Sequence, residues 1–244
     1  LMVGLSGPKA AGAARKSLMI IGGTDALLLL GILLYWQVSA STHLAGQGAG
    51  ALELETPASY AAFLCFLAAA LAKAGAVPFH SWVPDFGEQA DAPISAYLPA
   101  SLDKLLGIYL LARCVTDLFV PTPGLYLLLM ALGAITIISA VLMALVQHDL
   151  KRLLSYHAVS QVGYMVLGIG TGTAIGLAGG LFHMLNNTVY KSALFLCAGN
   201  VEKETGTSDL DILGGLARLM PVTFIACLVA ALAISVVPPL KGFT

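Results

Sequence analysis

Charge is what this sequence has least of. Only 10% of its 244 residues are Asp, Glu, Lys or Arg, against about 25% in soluble domains. Hydrophobic residues make up 58% of the chain and the mean hydropathy is +0.89. That balance excludes an ordinary soluble globule and predicts a polytopic membrane protein. Basic runs are missing as well, with 12 Lys and Arg against 13 Asp and Glu, so nucleic acid is not an expected partner. Cys65, Cys114, Cys197 and Cys227 stand singly in apolar stretches, without CxxC or a histidine at ligand spacing. They read as small core residues, not as metal ligands or disulfides. HExxH, nucleophile elbow, Walker and haem or iron–sulfur spacings are missing too, so no hydrolytic or redox centre and no cofactor is expected in this chain. The glycine-dense "GIGTGTAIGLAGG" at Gly168–Gly180 lacks the strand, GxGxxG spacing and GK[ST] ending of a nucleotide loop. It reads as a tight turn with close helix packing.

What is present is length of apolar run. A helix needs about 20 residues to cross a hydrocarbon core of about 30 Å. Windows of that size give seven candidate spans, roughly Ser17–Gln37, Ser59–Pro78, Pro99–Phe119, Gly124–Val146, Leu153–Gly170, Ile175–Ala198 and Pro221–Pro238. No signal-peptide pattern precedes the first span. The chain begins at Leu1 and ends within the apolar "PPLKGFT", so a fragment of a longer protein is expected. Threading the spans puts Lys9, Arg15, Lys16, Lys151, Arg152, Lys203 and Arg218 on one face, and only Arg113 and Lys241 near the other. The positive-inside rule makes the first face cytoplasmic. Asp85, Glu88 and Asp91 form an acidic loop on that face, either solvated or a docking surface.

The sixth span holds the sharpest anomaly. Within "FHMLNNTVYKSALF" at Phe182–Phe195, residues four apart share a helix face, so His183, Asn187 and Lys191 form a polar stripe at membrane depth. A lysine there costs about 2.5–3.5 kcal/mol on insertion scales, so the stripe must face protein or water. An imidazole that gives and takes protons, an amide that can hold a bridging water, and a lysine are the parts of a proton relay. The same residues can equally cross-link helices by hydrogen bonds, and this helix alone leaves both readings open.

Other spans carry ionisable groups too. Lys73 lies deep in the second, with Gly75 and Pro78 close behind it. Proline frees the carbonyl of Ala74 and predicts a broken helix beside the lysine. Asp25, after Gly22–Gly23 in the first span, is a carboxylate able to balance a buried lysine. Asp103 and Lys104 open the third span as interfacial anchors or as pathway members. Lys151 opens the fifth, near His148 and Arg152, where taken alone it is a cytoplasmic anchor. Together these residues describe a chain that moves a small cation, most plausibly a proton.

"AKAGAVPFHSWVPDFGEQADAPISAYLPAS" resembles the central signature of the antiporter-like membrane subunits shared by respiratory complex I, energy-converting membrane-bound hydrogenases and multi-subunit Na+/H+ antiporters. "HDLKRLLSYHAVSQVGYM", "FHMLNNTVYKSALFLCAGNVEKETGTSDLDILGGLARLMP" and "AISVVPPLKGF" resemble its later blocks, in order and spacing. The resemblance runs from about Arg15 to Thr244. It implies an all-α polytopic fold, the middle of a fourteen-helix core built of two inverted repeats with broken helices. Residues 1–119 would end the first repeat and 120–244 start the second, within one transmembrane domain. By position, Lys73 matches the central lysine of the first half-channel, Asp25 an acidic position on the preceding helix, and Lys151 the lysine linking half-channels. His183 and Lys191 match two members of a His-x3-His-x3-Lys stripe.

Two departures stand out. Asn187 replaces the second histidine of the stripe and cannot titrate, so transfer there would need water. Pro99 replaces a histidine that opens the third span in many members. Both departures, along with "PASLDKLLGIYLLAR", resemble the hydrogenase-linked branch more than the main complex I branch. A glutamate expected before Leu1 and a lysine or glutamate expected beyond Thr244 fall outside the chain. The implied function is proton translocation, or Na+ translocation, in the energy-transducing membrane of a bacterium or archaeon. Membrane and peripheral subunits of a redox complex are the implied partners, with the lipid bilayer around them. A Na+/H+ antiporter subunit without a redox partner and a purely structural membrane anchor are the alternatives.

Overall fold

The computed structural model describes residues 7, 10–39, 51–235 and 238. Lys9, Lys241 and the end of the seventh expected span lie outside them. The described chain is helical almost throughout: α1 (Ala11–Ser39), α2 (Pro57–Ala74), α3 (Trp82–Gln89), α4 (Ala92–Tyr97), α5 (Asp103–Arg113), α6 (Pro123–Leu145), α7 (Leu150–Gly170), α8 (Ala174–Thr205), α9 (Leu216–Leu219) and α10 (Pro221–Ile234). A two-residue parallel pairing of β1 (Leu52–Glu53) with β2 (Phe119–Val120) ties two loops together.

Among the described residues, four stretches are long and apolar enough to cross a membrane: Ala11–Ser39, Pro57–Ala74, Ala92–Leu118 and Pro123–Leu145. The fifth and sixth expected spans are α7 and α8, of 21 and 32 residues, which have the length. They lack the apolarity because Lys151, Ser155 and Gln161 on α7 and Asn186, Asn187 and Lys191 on α8 are buried inside the protein. The seventh is represented by the 14-residue α10.

Local chemistry sets the element boundaries. Thr56 caps α2 reciprocally with Ser59, each side chain accepting from the other's backbone N–H at 3.2 Å, with Pro57 in the first turn. The helix stops at Gly75, whose φ of +78° suits a residue without Cβ and whose N–H turns back to the carbonyls of Leu71 and Ala72. The interruption after Lys73 therefore begins at Gly75 and not at Pro78, which sits further on, after a cis Val77–Pro78 bond. Trp82 Nε1 donates to Ala72 O at 3.0 Å, and Thr136 Oγ1 on α6 accepts from Val77 N at 3.2 Å, so the break's polar backbone is satisfied by protein.

The third span begins at Ala92, not Pro99. Pro93 starts α4, and Pro99 is accommodated in a π-helical turn over Leu98–Leu102 that leads into α5. A second π-helical turn, Cys114–Leu118, ends the span. Gly172, at φ +64°, turns the chain between α7 and α8, and a Cβ on Gly168 would stand 2.9 Å from Gly176 O, so the glycine-dense stretch makes a turn and a close helix contact.

Helix α1 packs on α2, α6 on α7, α7 on α8, and α10 on α8, while α5 touches α2 on one side and α7 and α8 on the other. Gly107 permits that central placement, since a Cβ there would lie 2.3 Å from Ala74 N. Ion pairs gather at one end: Lys16 with Asp85 at 2.6 Å, Arg152 with Glu88 at 2.8 Å and Lys151 with Glu202 at 3.0 Å. Asp85 and Glu88 of the acidic loop thus fasten α3 to α1 and α7. Of the basic residues assigned to one face, Lys16, Lys151, Arg152 and Lys203 share this end of the bundle. Toward the other end Tyr35, Phe63, Phe66 and Phe119 pack edge to face at 5.4–6.5 Å.

Candidate functional site: a line of buried ionisable groups

Because α5 stands between α2 and α8, it joins polar groups that are far apart in sequence. On its α2 side, Lys73 Nζ pairs with Asp25 Oδ1 of α1 at 2.5 Å. Asp103, at the start of α5, lies within electrostatic range of Lys73, Asp25 and Lys104. Lys104 is only 1% exposed, and its Nζ donates to Pro99 O at 2.6 Å. The π-helical turn that accommodates Pro99 also frees this carbonyl for the lysine. Lys104 and Asp103 therefore sit in the middle of a continuous Ala92–Leu118 span. An interfacial anchor would instead need a helix end from which its side chain can reach water.

Beyond Lys104 the line crosses to α8. Lys191 is fully buried, feels the charge of Lys104, and donates from Nζ to Leu154 O on α7 at 3.2 Å. Asn187, one turn away, is also fully buried, and neither of its amide atoms has a hydrogen-bond partner among the described residues. His183 Nε2 meets Gln161 Oε1 of α7 at 2.8 Å, and Tyr190 Oη donates to the same oxygen at 3.3 Å. The polar stripe thus faces α7 and not lipid.

Lys151 sits one turn of α7 before Leu154. It is 3% exposed, held by Glu202 at 3.0 Å and by Ala90 O at 3.1 Å. Above this pair a cavity of about 500 Å³ is lined by Glu88, Gln89, Asp91, Lys151, Glu202 and Lys203, among others. Lys151 is therefore the floor of a polar opening, not the exposed anchor that its position at a helix start alone implied.

The structure brings Asp25, Lys73, Asp103, Lys104 and Lys191 into successive electrostatic reach across α1, α2, α5 and α8, with Asn187 and His183 one and two turns further along α8 and Lys151 one turn of α7 from the carbonyl that holds Lys191. Sequence reasoning missed Glu202, Gln161, His157 and Tyr190. Glu202 was accessible to it: eleven residues after Lys191 is three helical turns, so the two share a face of α8. His157 and Gln161 are four apart on α7, a stripe of the same kind as that on α8. Two buried lysines dominate the chemistry. Among the described residues Lys104 and Lys191 form no ion pair, and each donates to a carbonyl oxygen. Holding an ammonium this way is expensive, and ionisable groups kept inside membrane proteins at such cost mark ion pathways.

The class these features define is a polytopic helical membrane bundle with lysines held inside it. Residues 1–244 match the family described as NADH:quinone oxidoreductase/Mrp antiporter, TM, and the chain belongs to that family. It is 38% identical over 232 residues to hydrogenase-4 component B of Escherichia coli, covering 89% of this chain and 34% of that protein. A subunit in the structure of the Mrp complex from Dietzia sp. DQ12-45-1b superposes with a TM-score of 0.90 at 28% identity, over 97% of this chain and 44% of the other. One in respiratory complex I from Thermus thermophilus with bound NADH superposes at 0.88 and 27%, over 99% and 52%. The chain thus spans about a third to a half of the proteins it matches. It is an antiporter-like integral membrane subunit.

Proposed function

We propose that this chain forms the ion-translocating centre of a membrane subunit in a redox-driven complex of the NADH:quinone oxidoreductase or energy-converting hydrogenase type, and that the ion is a proton. The observation that carries this reading is the pair of buried lysines, Lys104 and Lys191, each bonded to a carbonyl and standing in line with Lys73. A structural cross-link does not require a charge, and apolar residues of similar volume would serve it at lower cost.

Protons step along the series Lys73, Lys104, Lys191 and His183, with Lys151 and Glu202 exchanging protons with the polar cavity. Asp25 and Lys73 act as a switchable pair, since moving the carboxylate away changes the cost of the charge on Lys73. The redox chemistry takes place in other subunits, which are the partners of this one in an energy-transducing membrane of a bacterium or archaeon. Residues 1–119 close one inverted repeat and 120–244 open the next. Similarity to hydrogenase-4 component B favours the redox-driven assignment. Similarity to the Mrp complex favours a second reading, a Na+/H+ antiporter subunit that runs on an ion gradient alone.

The test is transport by vesicles carrying the full-length parent complex, comparing wild type with Lys191→Met while an electron donor is supplied and then withheld. Donor-dependent acidification abolished by the substitution, with assembly intact and thermal stability unchanged or raised, is the expected result. Transport on an imposed cation gradient without donor would move the chain to the antiporter reading. Transport indifferent to Lys191 would reduce the row of lysines to structural cross-links.

A further inference from the structure

Helices α7 and α8 run antiparallel and are pinned together at two levels. At one, Lys191 Nζ donates to Leu154 O at 3.2 Å; at the other, His183 Nε2 meets Gln161 Oε1 at 2.8 Å. The two levels are about two turns, or roughly 11 Å, apart along the helices. A single proton transfer spans one hydrogen bond, a donor–acceptor distance of about 3 Å. Lys191 therefore cannot pass a proton to His183 directly, and Asn187, the residue of α8 between them, does not titrate.

The level between the pins is occupied from the other helix. His157 lies three residues after Leu154 and four before Gln161, on the face of α7 that makes both contacts. Asn187 lies four from His183 and four from Lys191, on the matching face of α8. Both residues carry polar atoms shut away from solvent without a hydrogen-bond partner among the described residues: Nδ1 of His157, and Oδ1 and Nδ2 of Asn187. Lys191 is near enough to act electrostatically on the imidazole. The charged groups facing this level are Lys191 of α8 and, behind it, Lys104 of α5.

We propose that His157 is the proton-carrying group that bridges Lys191 and the Gln161–His183 pair, supplying from α7 the titratable side chain that α8 lacks at Asn187. The inference rests on the ion-translocation reading above. The imidazole accepts a proton on one ring nitrogen as the Lys191 ammonium becomes an amine. The imidazolium then releases the proton of its other ring nitrogen toward His183, leaving a neutral ring in the opposite tautomer. A turn of the ring, or a proton returning along the same line, resets it. The Asn187 amide, with one donor and one acceptor end, steers the ring at the same level.

The test uses the full-length parent complex in vesicles, with proton uptake read by a pH-sensitive dye. His157→Asn should slow transport by about tenfold or more, in keeping with the loss of a positioned acid–base group. Adding Asn187→His to that variant returns an imidazole to the same level from the opposite helix, and should restore most of the rate. His157→Gln serves where the asparagine variant fails to assemble. Unchanged transport in His157→Asn, with Lys191→Met inactive, overturns this inference alone; unchanged transport in both overturns the translocation reading beneath it. Loss without rescue by Asn187→His assigns His157 to packing and also overturns the proposal.

Discussion

Asp25 shows how little one residue reveals until its neighbour is known. In sequence it is a lone carboxylate in an apolar helix; in the folded chain it is the counter-ion of Lys73 at 2.5 Å. Its side chain is 45% exposed in this chain, but that surface lies midway along the apolar span Ala11–Ser39, where no water screens the pair. Asp25→Asn should leave the complex assembled while slowing transport, because Lys73 loses its counter-ion. A large fall in stability with transport at the wild-type rate would instead make the pair a structural clasp. The residues readable from sequence were those whose cost was visible in isolation, such as Lys191 in mid-helix. His157 and Gln161, four apart on α7, and Glu202, three turns from Lys191 on α8, carry only the weaker flag of a shared helix face, and each gains its meaning from what another helix places against it.

Helix boundaries divide along the same line. Capping by Thr56 and Pro57, or the turn at Gly172, follows from local rules and is legible along the chain. The start of the third span at Ala92 was not, because a π-helical turn accommodates Pro99 where a regular helix would have kinked or ended. The placement of α5 rests on Gly107, where a Cβ would come within 2.3 Å of Ala74 N. Gly107→Ala should push α5 from α2, costing about 1–3 kcal/mol by overpacking, and should slow transport by widening the step from Lys73 to Lys104. Gly179→Ala is the matched control in α8, with nothing within 4 Å of the new methyl. It should stabilise slightly, since alanine is the better helix former by up to about 1 kcal/mol. Thermal midpoints of the purified complex in detergent check both, and equal behaviour of the two variants would refute the packing argument.

On the scale of the whole molecule, orientation and the ion line are linked. The ion pairs Lys16–Asp85, Arg152–Glu88 and Lys151–Glu202 share one end, which the positive-inside rule predicts to be the cytoplasmic one. The polar cavity over Lys151 opens on that side. After replacement of the four native cysteines, Glu204→Cys should react with a membrane-impermeant maleimide from the cytoplasmic side, and Glu55→Cys from the opposite side. Reversed labelling would turn the cavity, and the direction of proton exchange through Lys151, to the other compartment.

Composition and residue order sufficed for the membrane setting, the helical class and the anomaly of Lys73, His183, Asn187 and Lys191, because each follows from the cost of polarity in a medium without water. They did not suffice for the line itself. Which carbonyl holds Lys104, which carboxylate faces Lys151 and which imidazole stands beside Asn187 depend on helices distant in sequence, brought to contact distance by glycine-permitted packing and a π-helical turn. Tertiary structure decided these points because hydrogen bonds and proton transfers act over a few ångströms, and only the folded chain fixes which groups lie that close.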